Sequence, residues 1–262
     1  MVHAELMIIG SAGFIGRHFY RAFPDALSVG RAQLDLCDPA MNFSIEGARY
    51  AVIAAGIGNP QKCEAHPELS HRCNVTGTLA LGKELLKRGI LPIFFSTDYV
   101  FDDTLNIAPL NIYGLQKAEL EEKGAKLGAL VVRLSKVYGI EKGDGTLFDE
   151  MAARLKEGKQ VRAARDQLFA PVYIGDVVRQ VMEWAQRDVR GVVTCAGPSF
   201  ATRIEMAHLM AEKLEVDQEL VTEISLDDLK DGVRRPKRLT LKGDFPALNW
   251  QEGIERVVQA YA

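Results

Sequence analysis

The chain has 262 residues, 47% hydrophobic and 26% charged, with a formal net charge of −3. That length and composition can bury a full core, as one large domain or a main domain with a smaller lobe, and no strongly basic field points to nucleic acid or an anionic membrane. The first ten residues read as neither a signal peptide nor a membrane anchor, and the cysteines Cys37, Cys63, Cys73 and Cys195 lack C-x-x-C spacing, so they read as reduced thiols of a cytoplasmic protein and not as a disulfide framework or a metal site.

Glu5 to Ile9 reads as a short buried strand and Phe14 to Phe23 as a helix. Between them runs Gly10-Ser-Ala-Gly13-Phe-Ile-Gly16. A strand, a glycine-rich turn and a helix make a phosphate site, because glycine lets the backbone approach the anion and the helix start offers free N–H groups. Glycine used for turn geometry alone is the plainer reading, and the flanking strand and helix weigh against it. A second strand, Ala26 to Val29, ends in Gly30-Arg31. An NAD-selective site carries an acid there for the ribose 2′-hydroxyl, whereas Arg31 suits a 2′-phosphate. NADPH is the expected cofactor; NADH stays open, as does an exposed loop arginine. Asp35 and Leu36 could line the adenine pocket, and Asp38-Pro39 opens a short helix. Tyr50 to Ala54 is the third strand, ended by Ala55-Gly56, residues small enough for a cofactor to lie against. A polar loop from Gly56 to Pro67 then leads to one long helix, Glu68 to Arg88, carrying Asn74.

Leu91 to Phe95 is the fourth strand and ends in two hydroxyl residues, Ser96 and Thr97. The periodic segment Ile112 to Leu127 reads as a helix, and on it Tyr113 and Lys117 share one face, one turn apart. A hydroxyl facing a Tyr–Lys pair is a proton-transfer constellation. The ammonium is expected to lower the phenol's pKa, and a shift of about 3 units needs about 4 kcal/mol from Lys117 and any nearby cofactor charge. Tyr-x-x-x-Lys is a weak pattern taken alone and occurs again at Tyr138 and Lys142, between Gly139 and Gly143 in an expected loop, where this spacing does not bring two side chains together. Ala129 to Leu134 is the fifth strand.

This alternation predicts an α/β protein with a Rossmann-type doubly wound parallel sheet, ligands lying at the carboxyl ends of its strands. Residues 1–140 form the NAD(P)-binding core. Residues 141–262 supply a small C-terminal substrate lobe and the last strand and helices of the core. There, Thr146 to Lys156 and Ile174 to Gln186 read as helices and Arg165 to Tyr173 as mostly extended. Val192 to Cys195 is a strand, Thr202-x-x-Glu205 a capping box, and Trp250 to Tyr261 a terminal helix. The basic cluster Arg234 to Arg238 reads as a solvated loop or a diphosphate contact.

Gly10-x-x-Gly13-x-x-Gly16, Ser96-Thr-Asp-Tyr-Val-Phe101, Pro109-Leu-Asn-Ile-Tyr113-Gly-x-x-Lys117, Val132-Arg-Leu-Ser-Lys-Val-Tyr-Gly139, Asp166-Gln167 and Arg235-Pro236 follow one another in the order found in extended short-chain dehydrogenases/reductases. The chain resembles the dTDP-4-dehydrorhamnose reductase branch over nearly its whole length. The resemblance implies NADPH-dependent reduction, at C4, of a nucleotide-linked 4-keto-6-deoxysugar, with Thr97, Tyr113 and Lys117 catalytic. It places Gly10, Ala12, Gly13, Phe14, Ile15, Gly16, Arg31, Asp35, Leu36, Ala54, Ala55, Gly56, Ser96, Tyr113 and Lys117 at the cofactor, and Thr97, Tyr99, Tyr113 and Arg235 at the substrate. Asn74 is a candidate for a proton relay or a core polar residue. A homodimer is compatible with the resemblance; the acidic positions that bind magnesium in some members are not evident. Asp98-Tyr99 stands where a 4,6-dehydratase needs Asp-Glu. A sugar-nucleotide epimerase and a non-catalytic regulatory subunit that keeps the fold remain open.

Overall fold

Six short strands pair into one sheet, in the order Gly191–Cys195, Leu130–Leu134, Leu91–Thr97, Tyr50–Ile53, Leu6–Ile9 and Leu27–Val29. The computed structural model in which they are seen describes residues 5–37 and 47–262, so the helix expected from Asp38-Pro39 lies outside the described residues. The chain divides into two compact units. One comprises Met1–Val100, Ile107–Arg133 and Val178–Val193; the other Phe101–Asn106, Leu134–Val177 and Thr194–Ala262.

In the first unit, Leu6–Ile9 runs parallel to both Leu27–Val29 and Tyr50–Ile53, and Tyr50–Ile53 runs parallel to Leu91–Thr97. Every residue of Leu6–Ile9 and Tyr50–Ile53 is buried, as expected for strands covered on both faces. The chain leaves Leu6–Ile9 toward Leu27–Val29 on one side and returns to Tyr50–Ile53 on the other. Strand order therefore reverses at Leu6–Ile9, which opens a crevice beyond its carboxyl end. The register Ile9↔Ile53 and Ile53↔Phe94 brings Gly10, Ala54 and the Phe95–Thr97 segment to that same end.

Two departures from the expected elements bear on this end of the sheet. The fourth strand continues through both hydroxyl residues to Thr97. The long helix expected from Glu68 is instead three joined segments, Pro67–His71, a π-helical turn Arg72–Gly77, and Thr78–Lys87. A separate helix, Pro60–Ala65, precedes them inside the expected loop; the Asn59 side chain accepts from Lys62 N–H at 3.1 Å and Pro60 opens it, a start signal present in the sequence. The π turn leaves a carbonyl of Cys73 that the Thr78 hydroxyl meets at 3.0 Å. Gly77 lies so close to the Leu36 carbonyl that any Cβ there would strike it.

That packing explains a correction. Cys37 and Cys73 are joined by a disulfide, with Cα atoms 4.4 Å apart, where the sequence suggested free thiols. They are 36 residues apart, and no local spacing announces a pair that the π turn brings together. Cys63 and Cys195 are buried and lie outside that disulfide. The cytoplasmic reading thus loses two of the four thiols on which it leaned.

In the second unit the helices Leu147–Lys156, Arg203–Lys213 and Trp250–Tyr261 pack on one another. Val161–Ala164 pairs in parallel with Val221–Ile224, and Val137–Tyr138 with Val172–Tyr173. The Thr202–Glu205 capping box is formed in both directions. Among the described residues no helix is long and apolar enough to cross a membrane.

Candidate active site

The crevice at the switch in strand order holds a cavity of about 290 Å³, lined in part by Gly10, Arg31, Asp35, Leu36, Ala55 and Gly56. Gly10 sits at φ +86°, in the left-handed region, and a Cβ on it would come within 2.7 Å of the Ala55 nitrogen. Gly16 packs directly on the Gly10 carbonyl. Gly13 differs from both. It is the N-cap of Phe14–Ala22 at an ordinary φ of −73°, and a Cβ added there would meet nothing nearer than the Gly10 oxygen at 3.4 Å. No side chain caps that helix and no acid stands in its first turn, so its dipole and first N–H groups suit an anion. Ala12 is exposed and Ile15 partly buried; Phe14 meets the His18 ring edge-on at 4.9 Å, with the Arg17 guanidinium 5.3 Å from its ring.

Arg31 points into solvent, its side chain 84% exposed, and pairs with Asp35 at 3.3 Å. The other Asp35 oxygen accepts from Cys37 N–H at 2.9 Å. That backbone hydrogen bond, helped by Arg31, holds the Asp35 carboxyl below its usual pKa. A glycine-lined approach, an uncapped helix start, an apolar-walled cavity and an exposed guanidinium at its rim fit a phosphate-bearing dinucleotide.

Thr97, Tyr113 and Lys117 all lie in the first unit. Thr97 ends its strand, donating to Asp98 Oδ1 at 3.1 Å and accepting from Tyr99 N–H at 3.3 Å. Tyr113 is the second residue of Ile112–Leu127. Asn111 caps this helix through Gly114 N–H at 2.8 Å, and Glu64 accepts from Ile112 N–H at 2.8 Å. Tyr99 and Tyr113 meet edge to face, 6.4 Å between ring centres. Lys117 Nζ donates to the Phe95 carbonyl at 2.8 Å and lies 5.8 Å from the Tyr113 ring centre.

This geometry overturns the expected electrostatics. Burial pushes the Tyr113 phenol above its ordinary pKa, with Asp98, Cys63 and Tyr99 adding to the rise and a Thr97 hydrogen bond opposing it. Burial also pulls Lys117 down to about 8. The pair was expected to lower the phenol; instead desolvation penalises both charged forms, and the Lys117 amine is committed to a carbonyl. Tyr113 is therefore neutral across the physiological range, the form that donates a proton.

Asn74 is occupied. Its Oδ1 accepts from Ile57 N–H at 2.7 Å, and its Nδ2 donates to the Ile57 carbonyl at 3.0 Å and to Gln116 Oε1 at 2.9 Å. That places it in the scaffold, not in a relay. Ala54 donates its N–H to the Ile9 carbonyl at 2.9 Å, in line with the sheet. Ser96 is buried, and its hydroxyl has no hydrogen-bond partner among the described residues. Gln116 was not anticipated; a polar residue three positions after Tyr113, on the side of the helix that the periodicity buries, was the available signal. In the second unit, Arg235 donates to Asp231 Oδ1 at 2.9 Å and to the Val233 carbonyl at 3.0 Å. Its charge is matched within its own loop. Among the described residues no group of His, Cys, Asp or Glu could hold a metal ion.

Comparison with known proteins places the chain in a family. The dTDP-4-dehydrorhamnose reductase of Mycobacterium tuberculosis (strain CDC 1551 / Oshkosh) is 27% identical over 98% of this chain and 93% of its own. Methionine adenosyltransferase 2 subunit beta of Rattus norvegicus is 29% identical over 90% of this chain and 80% of its own. The crystal structure of dTDP-4-dehydrorhamnose reductase from Bacillus anthracis str. Ames in complex with NADP matches with a TM-score of 0.85 at 21% identity, over 96% of this chain and 97% of that one, a likeness of fold. The family profile described as RmlD substrate binding domain matches residues 4–262, and by that match, over nearly its whole length, this chain belongs to the RmlD substrate binding domain family.

Proposed function

We propose that this protein uses NADPH to reduce a nucleotide-linked 4-keto-6-deoxysugar at C4, with Tyr113 as proton donor. The observation that carries the reading is the placement, in one unit, of a strand-end hydroxyl, a half-buried neutral phenol and a lysine one helical turn on, together with a glycine turn suited to phosphate. NADPH, when bound, supplies the hydride. Gly10, Ala12, Gly13, Phe14, Ile15 and Gly16 would hold its phosphates, Arg31 its 2′-phosphate, Asp35 and Leu36 its adenine end, and Ala54, Ala55, Gly56 and Ser96 the path along the sheet. Thr97 would turn its hydroxyl proton from Asp98 Oδ1 to the ketone oxygen, a hydrogen bond that strengthens as negative charge develops there. Tyr113 gives its proton to the same oxygen. Burial keeps that proton on the phenol until the alkoxide forms, and makes the resulting tyrosinate quick to regain one. Lys117, anchored on the Phe95 carbonyl, would hold the cofactor ribose with its remaining N–H groups. Tyr99, edge to face with Tyr113, would contact the sugar.

The relative named methionine adenosyltransferase 2 subunit beta, similar over 90% of this chain, supports a second reading, a regulatory subunit on the same fold. One experiment separates the possibilities: single-turnover NADPH oxidation with a panel of 4-keto sugar nucleotides. Stoichiometric oxidation supports the reductase. Interconversion of sugar epimers with cofactor retained and none consumed supports an epimerase. Cofactor binding with neither outcome moves the regulatory subunit to first place.

A further inference from the structure

Gln116 stands between Tyr113 and Lys117 in the sequence, yet its side chain turns away from solvent and is 3% exposed. Every polar atom of it is engaged. Oε1 accepts from Asn74 at 2.9 Å, and Nε2 donates to the Ser70 hydroxyl at 2.8 Å and to the Pro67 carbonyl at 3.2 Å. Asn74 spends the rest of its amide on both backbone groups of Ile57, as a neighbouring strand would. Ile57 and Gly56 line the cavity at the switch in strand order. Gly56 adopts φ +144°, and a Cβ on it would come within 2.9 Å of Asn74 Oδ1. An unbroken series of hydrogen bonds, buried between Gln116 and Asn74 and part-buried at Ile57, thus runs from the helix of Tyr113 and Lys117 to the cavity wall. The π turn makes the link possible, since an extra residue in the helical run sets where Asn74 lies.

We infer that Gln116 is a positioning residue: through Asn74 it fixes the Gly56–Ile57 wall relative to Tyr113 and Lys117, so that a cofactor on that wall and the phenol meet one carbonyl. The inference rests on the proposed reductase reading for its kinetic consequence, but not for its structural one. Hydrogen bonds inside a dry interior hold geometry tightly because breaking one leaves a group unpaired. Misplacement of reacting groups on the ångström scale costs rate strongly.

The structural test is hydrogen exchange on the protein without cofactor. Gln116→Met keeps the volume and removes the polar link. Exchange of the Ile57 amide should quicken by about tenfold or more as Asn74 loosens, while the Leu91–Thr97 strand stays protected. Unchanged Ile57 protection overturns the inference whatever the enzyme does. The kinetic test is the single-turnover rate constant at saturating NADPH and ketone. It should fall about 10- to 100-fold in Gln116→Met, with NADPH affinity changed by less than about threefold. A merely destabilised protein would lose amplitude and keep its rate constant. Asn74→Ala cuts the link from the other end and should slow the reaction equally; it is the variant to read should Gln116→Met fail to fold. The double variant should be no slower than either single, because both break one link. Ser70→Ala leaves that link whole and should stay within about threefold of wild type; a loss equal to that of Gln116→Met would overturn the inference by pointing to general packing. If wild type oxidises no NADPH with any ketone, the reductase reading fails, and the exchange result still decides on Gln116.

Discussion

The chain contains the same five-residue pattern twice, and the two copies have opposite fates. Tyr113 and Lys117 lie on a capped helix, so four-residue spacing becomes one face, and the lysine is directed over the phenol ring at 5.8 Å. Tyr138 ends the strand Val137–Tyr138, and the turn after it contains Gly143 and Gly145 at φ +88° and +66°. Its ring is fully buried, 4.5 Å from Phe148 and 6.0 Å from Tyr173. Lys142 goes elsewhere, 5.0 Å from the Tyr261 ring. Burial raises both phenols, Tyr138 with a further push from Asp176. A displaced pKa therefore does not identify the site here. What separates the copies is register: one backbone turns the spacing into a pair, and the other does not.

The largest effect that sharpens this contrast is Tyr113→Phe. Only the hydroxyl is lost, so folding and NADPH affinity should survive while single-turnover oxidation slows by about 10²–10⁴-fold. Retained turnover would move the proton donor elsewhere. Thr97→Val should slow the step less, through loss of one hydrogen bond to the developing alkoxide. Next comes the charge on Lys117, whose pKa is lowered to about 8 by burial. Below that pH the ammonium is present; as pH rises through it the charge is lost. If binding uses the ammonium, kcat/KM for NADPH should fall above pH about 8, by up to tenfold per unit, and Lys117→Arg should abolish that break because guanidinium stays charged. A wild-type profile flat to about pH 9.5 would mean the charge is unused. Smaller again is Arg31→Ala, which tests whether the unit with the first pair selects the phosphorylated cofactor. NADPH affinity should weaken by one to two powers of ten, roughly 1.4–2.7 kcal/mol, with NADH unchanged. Equal losses by calorimetry would leave Arg31 a surface partner of Asp35 and nothing more.

Much of this was legible in the sequence because it rests on local rules. The Ile112–Leu127 and Trp250–Tyr261 helices have the bounds their periodicity gave, and the Thr202 capping box formed. The glycine turn, the strand-end hydroxyls and the Tyr113–Lys117 face needed only neighbours in the chain. What the sequence hid depends on distant contacts. The π turn at Arg72–Gly77 has no periodicity of its own; it accompanies the close approach of Gly77 to Leu36, the Cys37–Cys73 bridge and the grip of Asn74 on Ile57. The direction of the Tyr113 shift was misjudged for the same reason. A lysine four residues away is visible in the sequence, whereas the desolvation that outweighs it comes from the whole surrounding fold.

The smallest expected effect is the most exacting test of the contrast. Tyr138→Phe makes the same chemical change as Tyr113→Phe, in the other copy of the pattern. The Tyr138 hydroxyl has no hydrogen-bond partner among the described residues, so removing it forfeits no interaction seen there and relieves a desolvated polar group. Turnover should stay within a few-fold of wild type, and stability by denaturant titration should be unchanged or higher by up to about 1 kcal/mol. A drop of more than about 1 kcal/mol would mean that a buried water or a relaxed neighbour satisfies the hydroxyl in solution. That result would revise the picture of the second copy as a packing residue while leaving the first copy untouched. Loss of turnover comparable to Tyr113→Phe would remove the distinction altogether, because register on the helix would then no longer be what selects the proton donor.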